Sequence, residues 1–535
     1  MTTLGSKQIR WITTGLMLGM LLSALDQTIV ATAMPHVIAE LDGFSLYSWV
    51  FTIYMLTTTT AMPIFGKLAD LFGRRKIYLT GMGLFLLGSA LCGLSQDMTQ
   101  LIIYRAIQGI GAGALMPIAM TIIGDIYPPD RRGKMQGLFG AVFGLSSVLG
   151  PALGGFIVDN TAWQWIFYIN LPLGILASIV IAIAMKESKS DEKKSIDWGG
   201  AIVLTGAVVM FLLGIEMGGE GGSEGGITHY PWDSPQILGL FGGALVLLLL
   251  FLMIESRAKE PIIPLKLFKS REISVSSVVG FLMGMGMFGA ITYIPLFSQA
   301  VIGTSASKSG YILTPLMLSL IASSIIGGQL ITRLSYRTIV VTSMAIMTVG
   351  YFLLSQMTVN TSSFELILYM IVVGLGLGAL MPVLTIAAQS AVGHELRGVA
   401  TSTTQFTRSI GGTVGVAIMG VIMSSRMTGG INDIKGDFSD IPAEKLEAFA
   451  NPQALLQPEV KEQIPVDLLH VLQKILNDSV TSVFFIGIAV VVLGLVAALF
   501  YGKLRMPKRS ETTDGEAAGD GANSKPPLKA EPEMM

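Results

Sequence analysis

The sequence is divided into apolar segments of about 20 residues that are separated by short polar connections. A helix needs about 20 mostly apolar residues to cross the hydrocarbon core of a bilayer. Fourteen segments meet this length and predict fourteen membrane spans. They lie at 11–33, 47–66, 77–95, 101–124, 137–158, 163–185, 197–217, 236–254, 273–299, 309–331, 338–357, 363–387, 403–425 and 481–502.

The basic residues lie unevenly between the two sets of connections. If the N-terminus is cytoplasmic, the cytoplasmic segments hold 27 of the 35 Lys and Arg residues, and the outer loops hold six. Cytoplasmic loops carry an excess of positive charge in membrane proteins. We therefore predict a multi-pass protein of the inner or plasma membrane with both termini in the cytoplasm.

The composition excludes several other classes. Only 13% of the residues are charged, against about 25% in soluble domains. The net charge of −1 argues against a nucleic-acid-binding protein. One cysteine, Cys92, and four scattered histidines give no metal site. No phosphate-binding loop of the G-x-x-x-x-G-K-[ST] type occurs, so we do not expect ATP to drive the protein, and we expect no cofactor.

A repeat divides the spans into two sets. The segment 104–117 recurs at 369–382, and both copies end in Gly-Ala-Leu-Met-Pro after a glycine-rich run. At the same offset of 265 residues, Arg132-Gly133 matches Arg397-Gly398, and at an offset of 262 residues Gly66 matches Gly328. Paired six-helix halves are a known transporter architecture.

The repeat predicts an all-α membrane protein with two six-helix bundles, spans 1–6 and 9–14, joined by linker spans 7 and 8. The 426–480 loop is predicted to be a surface insertion or a short helical cap, and the tail is predicted to be disordered because it lacks large apolar residues. The predicted units are an N-terminal bundle at 1–185, linker helices at 186–272, a C-terminal bundle at 273–425 and 481–502, an extracytoplasmic loop at 426–480, and a cytoplasmic tail at 503–535.

Asp26 is the acidic residue well inside the first span. An acid within the membrane costs about 2.5–3.5 kcal/mol on insertion scales and is functional by default. Helical rise places Asp26 and Arg105 at similar depths, so the two side chains are predicted to pair and to couple proton movement to transport. The alternatives are a carboxylate that only hydrogen-bonds neighbouring helices and an arginine that snorkels to the interface.

Five segments together resemble the fourteen-span drug:proton antiporters of the major facilitator superfamily. The segment at 25–35 resembles the first-span motif of that family, and 66–76 is similar to the superfamily's signature loop. The segments at 105–117, 144–155 and 163–172 resemble the motifs of the fourth, fifth and sixth spans. The resemblance implies a proton-coupled exporter of small hydrophobic, in some cases cationic, compounds by alternating access, and no enzymatic activity.

The signature loop is expected to act as a conformational latch, in which a carboxylate accepts hydrogen bonds from the N-terminus of a neighbouring helix. The alternative is a basic loop that only sets topology. The residues of this latch are Gly66, Asp70, Gly73, Arg74 and Arg75.

Closely spaced glycines in the fifth span allow helix backbones to approach. This face is predicted to seal against a helix of the other half, with generic packing as the alternative. The resemblance assigns to the antiporter motif the residues Gly144, Gly150, Pro151, Gly154 and Gly155.

The substrate wall is the least constrained part of the site. Large aromatic, methionine and glutamine side chains are its candidates, although each is individually compatible with ordinary helix packing. These candidates are Tyr54, Gln108, Phe281, Met285, Phe288, Tyr293 and Gln299. Since the later spans lack a carboxylate at mid-depth, multivalent cations are not expected as substrates.

We expect the protein to contact small-molecule substrates, protons and the lipid bilayer. We expect a monomer and leave an accessory envelope protein open. The alternative functions are a narrow metabolite exporter or proton symporter, and a membrane sensor or scaffold that transports nothing.

Overall fold

The computed structural model describes residues 5–41, 46–186, 196–219, 222–224, 227–304, 306–434, 438 and 464–502. Most of these residues are helical. The first helices are α1 (Ser6–Leu41), α2 (Tyr47–Phe72), α3 (Arg74–Cys92), α4 (Met98–Ile126), α5 (Pro129–Asn160), α6 (Trp165–Tyr168), α7 (Asn170–Ala184), α8 (Trp198–Met217) and α9 (Pro235–Arg257). They are followed by α10 (Arg271–Ala300), α11 (Ala306–Leu330), α12 (Tyr336–Ser355), α13 (Ser363–Ser390), α14 (Arg397–Ile434) and α15 (Val466–Leu499).

Local capping sets several helix ends. Asp97 begins α4, because its side chain accepts a hydrogen bond from the backbone N–H of Gln100. Ser362 and Glu365 form a reciprocal capping box at the start of α13. Such caps satisfy backbone N–H groups that have no partner within the helix.

The helices form two packed groups. In the first, α1 packs against α5 and α7, and α4 packs against α2 and α3. In the second, α13 packs against α11 and α12, and α10 packs against α14 and α15. Each group has its own apolar core, built around residues such as Tyr78 and Phe85 in the first and Tyr351 and Phe484 in the second. We call these groups the first and second bundles.

The bundles meet through α5 with α11 and through α2 with α14. The α2–α3 turn lies at one end of the helices, which we call the α2–α3 end. Among the described residues, the hydrogen bonds between the bundles all lie between this end and the level of Thr59, whose hydroxyl is 3.0 Å from that of Ser409. The bundles are therefore joined at the α2–α3 end.

The two glycines Gly133 and Gly328 mark the closest crossing of α5 and α11. An added Cβ on either residue would overlap the backbone of the other. Gly66 and Gly398 lie at the crossing of α2 and α14, where a Cβ on Gly66 would overlap the Ser402 side chain. Because Gly66 corresponds to Gly328 and Gly133 to Gly398 in the repeat, the two crossings are equivalent.

The helices α8 and α9 pack against each other, and α8 also contacts α2 and α14. Leu56, Phe406 and Ile410 contribute to the apolar cluster under α8. The pair of α8 and α9 therefore lies against one seam between the bundles, where α8 contacts both.

The connection between α8 and α9 departs from the all-α prediction. Strands β1 (Gly218–Gly219), β2 (Gly222–Glu224) and β3 (Ile227–Pro231) form a small sheet in the order β1-β3-β2. The β2–β3 pair is antiparallel and the β1–β3 pair is parallel. The glycine-rich sequence of this connection has no alternating apolar pattern that would predict a strand.

Eleven helices of the described residues are long and apolar enough to cross a membrane. The prediction of a helical membrane protein agrees with this, while the count of fourteen spans stays a prediction, since α2, α3 and α5 are not among the eleven. The stretch from Val466 to Ile475 is helical and continues into α15 instead of forming a separate cap. Most of the 426–480 loop that lies between α14 and α15, and the tail from 503 onward, lie outside the described residues.

Candidate functional site

Asp26 lies within the first bundle and is completely buried. The nearest cation is Arg105 on α4, whose Nη1 donates to Asp26 Oδ2 at 2.5 Å. The Arg105 side chain is only 1% exposed. The pair therefore lies inside the bundle and away from the lipid-facing surface, as the helical rise predicted for its depth.

Two amides complete the surroundings of the Asp26 carboxylate. Gln108 Nε2 donates to Asp26 Oδ1 at 2.8 Å, and Asn170 Nδ2 donates to the same oxygen at 3.1 Å. The Gln108 carbonyl oxygen in turn accepts from Arg105 Nη1 at 2.8 Å. The carboxylate thus accepts three hydrogen bonds, which come from Arg105, Gln108 and Asn170.

Asn170 was absent from the predicted site, although it lies in the sixth-span segment on which the resemblance rests. It begins α7, directly after the short helix α6. The Asn170 amide also donates to Ser89 Oγ at 3.0 Å, and the Ser89 hydroxyl donates to the carbonyl of Phe167 at 2.8 Å. The break between α6 and α7 therefore turns this amide toward Asp26, and the motif was the signal that could have identified it.

Arg105 is held on its other side by α2. The Arg105 Nε donates to the Val50 carbonyl at 3.4 Å, and the guanidinium carbon lies 4.0 Å from the centre of the Tyr54 ring. A cation over an aromatic face is attracted by the ring quadrupole. Tyr54 and Gln108, which were candidates for the substrate wall, thus surround the Asp26–Arg105 pair.

The arrangement suits a proton switch. Both charges are removed from water, so the ion pair is strong, and loss of either charge leaves the other uncompensated. A change in the protonation of Asp26 would therefore alter contacts of α1, α2, α4 and α7 at the same time.

The second bundle lacks this polar centre. Met370, which corresponds to Arg105 in the repeat, is completely buried in the apolar core. Near Gly286, in the stretch that corresponds to Asp26, the Tyr351 hydroxyl donates to the Gly286 carbonyl. The two bundles therefore share a backbone pattern but differ in the chemistry of their interiors.

Asp70 lies at the end of α2 and contacts the second bundle. Its carboxylate accepts hydrogen bonds from the backbone N–H groups of Gly398 at 3.0 Å and Val399 at 2.9 Å, at the start of α14. Arg74 lies 3.3 Å away on the next helix. Burial raises the pKa of Asp70 to about 6, although Arg74 and the two N–H groups act in the opposite direction.

Further charges join the bundles beside Asp70. Arg74 forms an ion pair with Asp125 on α4 and donates to the carbonyl of His394 at 2.8 Å. Arg397 Nη1 donates to Asp125 Oδ1 at 3.0 Å. Asp125 and Arg397 were not predicted, since nothing in the sequence shows that the fourth span ends beside the start of α14.

The remaining residues of the predicted latch have backbone roles or stay at the surface. Gly73 joins α2 to α3 with a φ of 98°, a conformation that side chains other than glycine rarely adopt. Gly66 lets α2 approach Ser402 on α14. Arg75 is partly exposed.

The fifth-span glycines face two different helices. A Cβ on Gly144 would lie 3.1 Å from Ile321 of α11, in the second bundle. A Cβ on Gly150 would overlap Thr28, and one on Gly154 would lie 2.9 Å from the Ile29 carbonyl, both on α1 of the same bundle. The prediction that this face seals only against the other half is therefore wrong for Gly150 and Gly154.

The split arises because α5 leaves the seam as it continues away from the α2–α3 end. Gly155 faces open space, with no atom within 4 Å of an added Cβ. The side chain of Pro151 lies outside the described part of the structure.

Most of the other substrate-wall candidates line the contact between α10 and α14. A Cβ on Gly411 would overlap the backbone of Phe281, and one on Gly412 would overlap the Phe288 ring. The Tyr293 hydroxyl donates to the Val416 carbonyl at 3.1 Å. Met285 packs against Gly415 of α14. Gln299 is partly exposed near the end of α10.

Comparisons with known proteins agree with one another. The family model described as Major Facilitator Superfamily matches residues 16–416. The chain is 43% identical to the multidrug transporter protein MdtP of Bacillus subtilis, with 96% of each chain covered. It is 42% identical to multidrug resistance protein 3 of the same organism, over 96% of this chain and 99% of the relative.

A solved structure shows the same fold at low sequence identity. The human organic anion transporter MFSD10 superposes with a TM-score of 0.56 and 14% identity, over 90% of this chain and 99% of that one. This likeness concerns the fold alone.

Proposed function

The chain belongs to the major facilitator superfamily and is a multi-pass membrane transporter rather than an enzyme, and on that premise we propose that it exports small hydrophobic compounds in exchange for protons. The two Bacillus relatives are named for multidrug transport and multidrug resistance. We extend multidrug efflux to this chain as part of the proposal.

We propose that the transporter is a monomer in the plasma membrane with both termini in the cytoplasm. This orientation places the basic α2–α3 end in the cytoplasm, as the excess of positive charge favours. The contacts between the bundles then close the cytoplasmic end. The described conformation corresponds to the stage of the cycle that is closed toward the cytoplasm.

The observation that supports proton coupling is the buried Asp26–Arg105 pair. The proton enters from the outer side and neutralises Asp26, which removes the charge that Arg105 faces. Gln108 and Asn170 then lose an ionised acceptor. Because these donors belong to α4 and α7, the change alters how the helices of the first bundle pack against α1.

Alternation requires the cytoplasmic end to open. In the proposed cycle, Asp70 releases the N-terminus of α14, and Arg74, Asp125 and Arg397 separate. Substrate then loads from the cytoplasm or the inner leaflet, and Asp26 returns its proton to the cytoplasm. Only a ligand that binds the two conformations with different affinity can shift this equilibrium.

The proposal is tested in inverted vesicles that carry the purified transporter. Acidification of the vesicle interior should drive uptake of several chemically unrelated dyes, and addition of a dye should release protons from the vesicles. Asp26→Asn should reduce both signals to background while the protein remains folded in the membrane.

Asp159→Asn is the matched control, because Asp159 is exposed at the end of α5. It should transport at the wild-type rate. Proton-driven uptake by Asp26→Asn at the wild-type rate would refute the assigned role. Transport of one compound only would favour the narrow exporter, and proton movement in the same direction as the substrate would favour the symporter.

A further inference from the structure

Arg408 on α14 is a charged residue that the proposed proton cycle does not use. Among the described residues, neither an ion pair nor a hydrogen bond involves its guanidinium, in contrast to Arg105, whose guanidinium donates to Asp26, Gln108 and Val50. A guanidinium carries five N–H donors. Arg408 is partly exposed, so its guanidinium is accessible to a ligand and is not sealed within the core.

Arg408 lies well inside α14. It is 11 residues after Arg397, where α14 begins, which corresponds to about 16 Å along the helix. The backbone carbonyl of Arg408 is also fixed against α10, because a Cβ on Gly284 would overlap it.

The guanidinium lines a cleft between α10, α13 and α14. The other residues of this cleft are Gly280, Met381, Leu384, Thr385, Thr404 and Gln405. Gln405 also reaches the first bundle, since its amide contacts the sulfur of Met120 on α4 at 2.6 Å. The cleft therefore borders the face between the two bundles, where a transported compound would pass.

The charge balance of the membrane interior identifies the ligand class. Among the Asp, Glu, Lys and Arg residues, three lie at least four residues inside the ends of the predicted spans, namely Asp26, Arg105 and Arg408. Asp26 and Arg105 neutralise each other. Arg408 therefore leaves an excess positive charge within the spans, and this charge attracts an anion more strongly where less water surrounds it.

We propose that Arg408 binds the anionic head group of an amphiphilic ligand whose apolar part lies against Met381 and Leu384. A carboxylate, sulfonate or phosphate ester would accept several of the guanidinium N–H groups, while Thr385 and Thr404 supply further hydroxyls. This inference rests on the proposed export function and names the substrate class of that transporter. Permanently cationic compounds are disfavoured at this position by repulsion.

The test uses two ligands that differ only in the charge of the head group. Purified transporter in phosphatidylcholine nanodiscs is titrated with 11-(dansylamino)undecanoic acid and with its primary amide. The acid should bind roughly ten- to a hundredfold more tightly, because a charge-assisted hydrogen bond contributes about 1.5–3 kcal/mol. Equal affinity of the wild-type protein for the two ligands would overturn the proposal.

Substitutions then assign the preference to one residue. Arg408→Gln should weaken binding of the acid to the level of the amide and leave the amide unchanged, and Arg408→Lys should keep part of the preference. Arg426→Gln is the matched control, since Arg426 is exposed on the same helix, and it should change neither affinity. An equal loss for both ligands in Arg408→Gln and Arg408→Lys would show a structural role and overturn the proposal.

A second arm identifies the source of the anion. Phosphatidylglycerol is introduced into the nanodiscs, and the titration with the acid is repeated. Weaker apparent binding in the wild-type protein but not in Arg408→Gln would support the site with an anionic lipid as its occupant. Unchanged binding of the acid would support the site with an exported amphiphile as its occupant.

Measurements of proton-driven uptake, made alongside the binding titrations, separate this inference from the proposed function. Preferential binding of the acid without proton-driven uptake of any compound would refute the exporter and leave the anion site intact. Proton-driven uptake of several dyes together with equal binding of acid and amide would refute the anion site and leave the exporter intact.

Discussion

The Arg105 guanidinium lies 2.5 Å from the Asp26 carboxylate, and both side chains are almost completely buried between α4 and α1. Neither charge is solvated, so each depends on the other and on the amides of Gln108 and Asn170. This dependence has consequences for stability that differ from those of a surface ion pair.

Removal of Arg105 alone should be strongly destabilising. Arg105→Gln leaves the Asp26 carboxylate buried without its cation, which costs about 3–5 kcal/mol. The double variant Asp26→Asn with Arg105→Gln should recover most of this loss, because no uncompensated charge remains. Thermal unfolding of the purified variants in detergent measures both effects, and additive losses would contradict the pairing.

A side chain at the α5–α11 crossing should prevent closure of the α2–α3 end. Gly133→Ala places a methyl group against the backbone of Gly328, so the two helices must separate. We expect a longer distance between spin labels at Arg131→Cys and Arg333→Cys, in a background in which Cys92 is replaced by Ala. These label sites are exposed and lie on opposite bundles at this end.

Gly242→Ala on α9 is the control for that measurement, because an added Cβ there meets no atom within 4 Å. It should leave the distance distribution unchanged. An unchanged distribution in Gly133→Ala would instead show that the crossing adapts to a methyl group without opening.

A lower pH at the α2–α3 end, where Asp70 lies, should favour the closed conformation. Burial raises the pKa of Asp70 to about 6 in this conformation, whereas a solvent-exposed aspartate has a pKa of about 3.9. The closed conformation therefore binds a proton at Asp70 more tightly than the open conformation does. The resulting stabilisation of the closed conformation is complete below about pH 4 and is lost as the pH rises through about 6. Between pH 7 and pH 5 the ratio of closed to open molecules should rise about tenfold.

The same spin-label distances, recorded across this pH range, measure the shift. Asp70→Asn should remove the pH dependence, because an amide is neutral throughout. A pH dependence of the same size in Asp70→Asn would assign the titration to another group.

The turn at Gly73 should not tolerate a side chain. Gly73 has a φ of 98° and a ψ of 139°, a region in which other residues are strained by about 1–3 kcal/mol. Gly73→Ala should therefore lower the thermal stability. Gly83 lies within α3, where an added Cβ meets no atom within 4 Å. Gly83→Ala should therefore be neutral or stabilising, because alanine is favoured over glycine within a helix. Equal melting temperatures for the two variants would contradict the strain argument.

The depth of a residue in the membrane could be predicted from the sequence, but its facing partners could not. Counting along helices placed Asp26 and Arg105 at one level, and the structure places them in contact. The same count could not show that Asn170 turns toward Asp26, because this depends on the break between α6 and α7. Asp125 and Arg397 remained unrecognised for the same reason, since their contact joins two distant helices.

The fifth-span glycines show where pattern alone is insufficient. Their spacing predicted close helix contacts, and close contacts are present at Gly144, Gly150 and Gly154. Which helix each glycine meets depends on the angle between α5, α1 and α11, and this angle is a property of the packed bundles. This angle cannot be inferred from the spacing of residues along one helix.

The sequence by itself determined the membrane environment, the repeat and the few charges in the apolar interior, because lipid admits only segments that satisfy their own backbone polar groups. The tertiary structure decided which charges meet. It paired Asp26 with Arg105, joined Asp70 to the start of α14, and left Arg408 without an ion pair or hydrogen bond among the described residues. Contacts of this kind depend on the rotation and crossing of helices, which are set by side-chain packing between segments far apart in the chain.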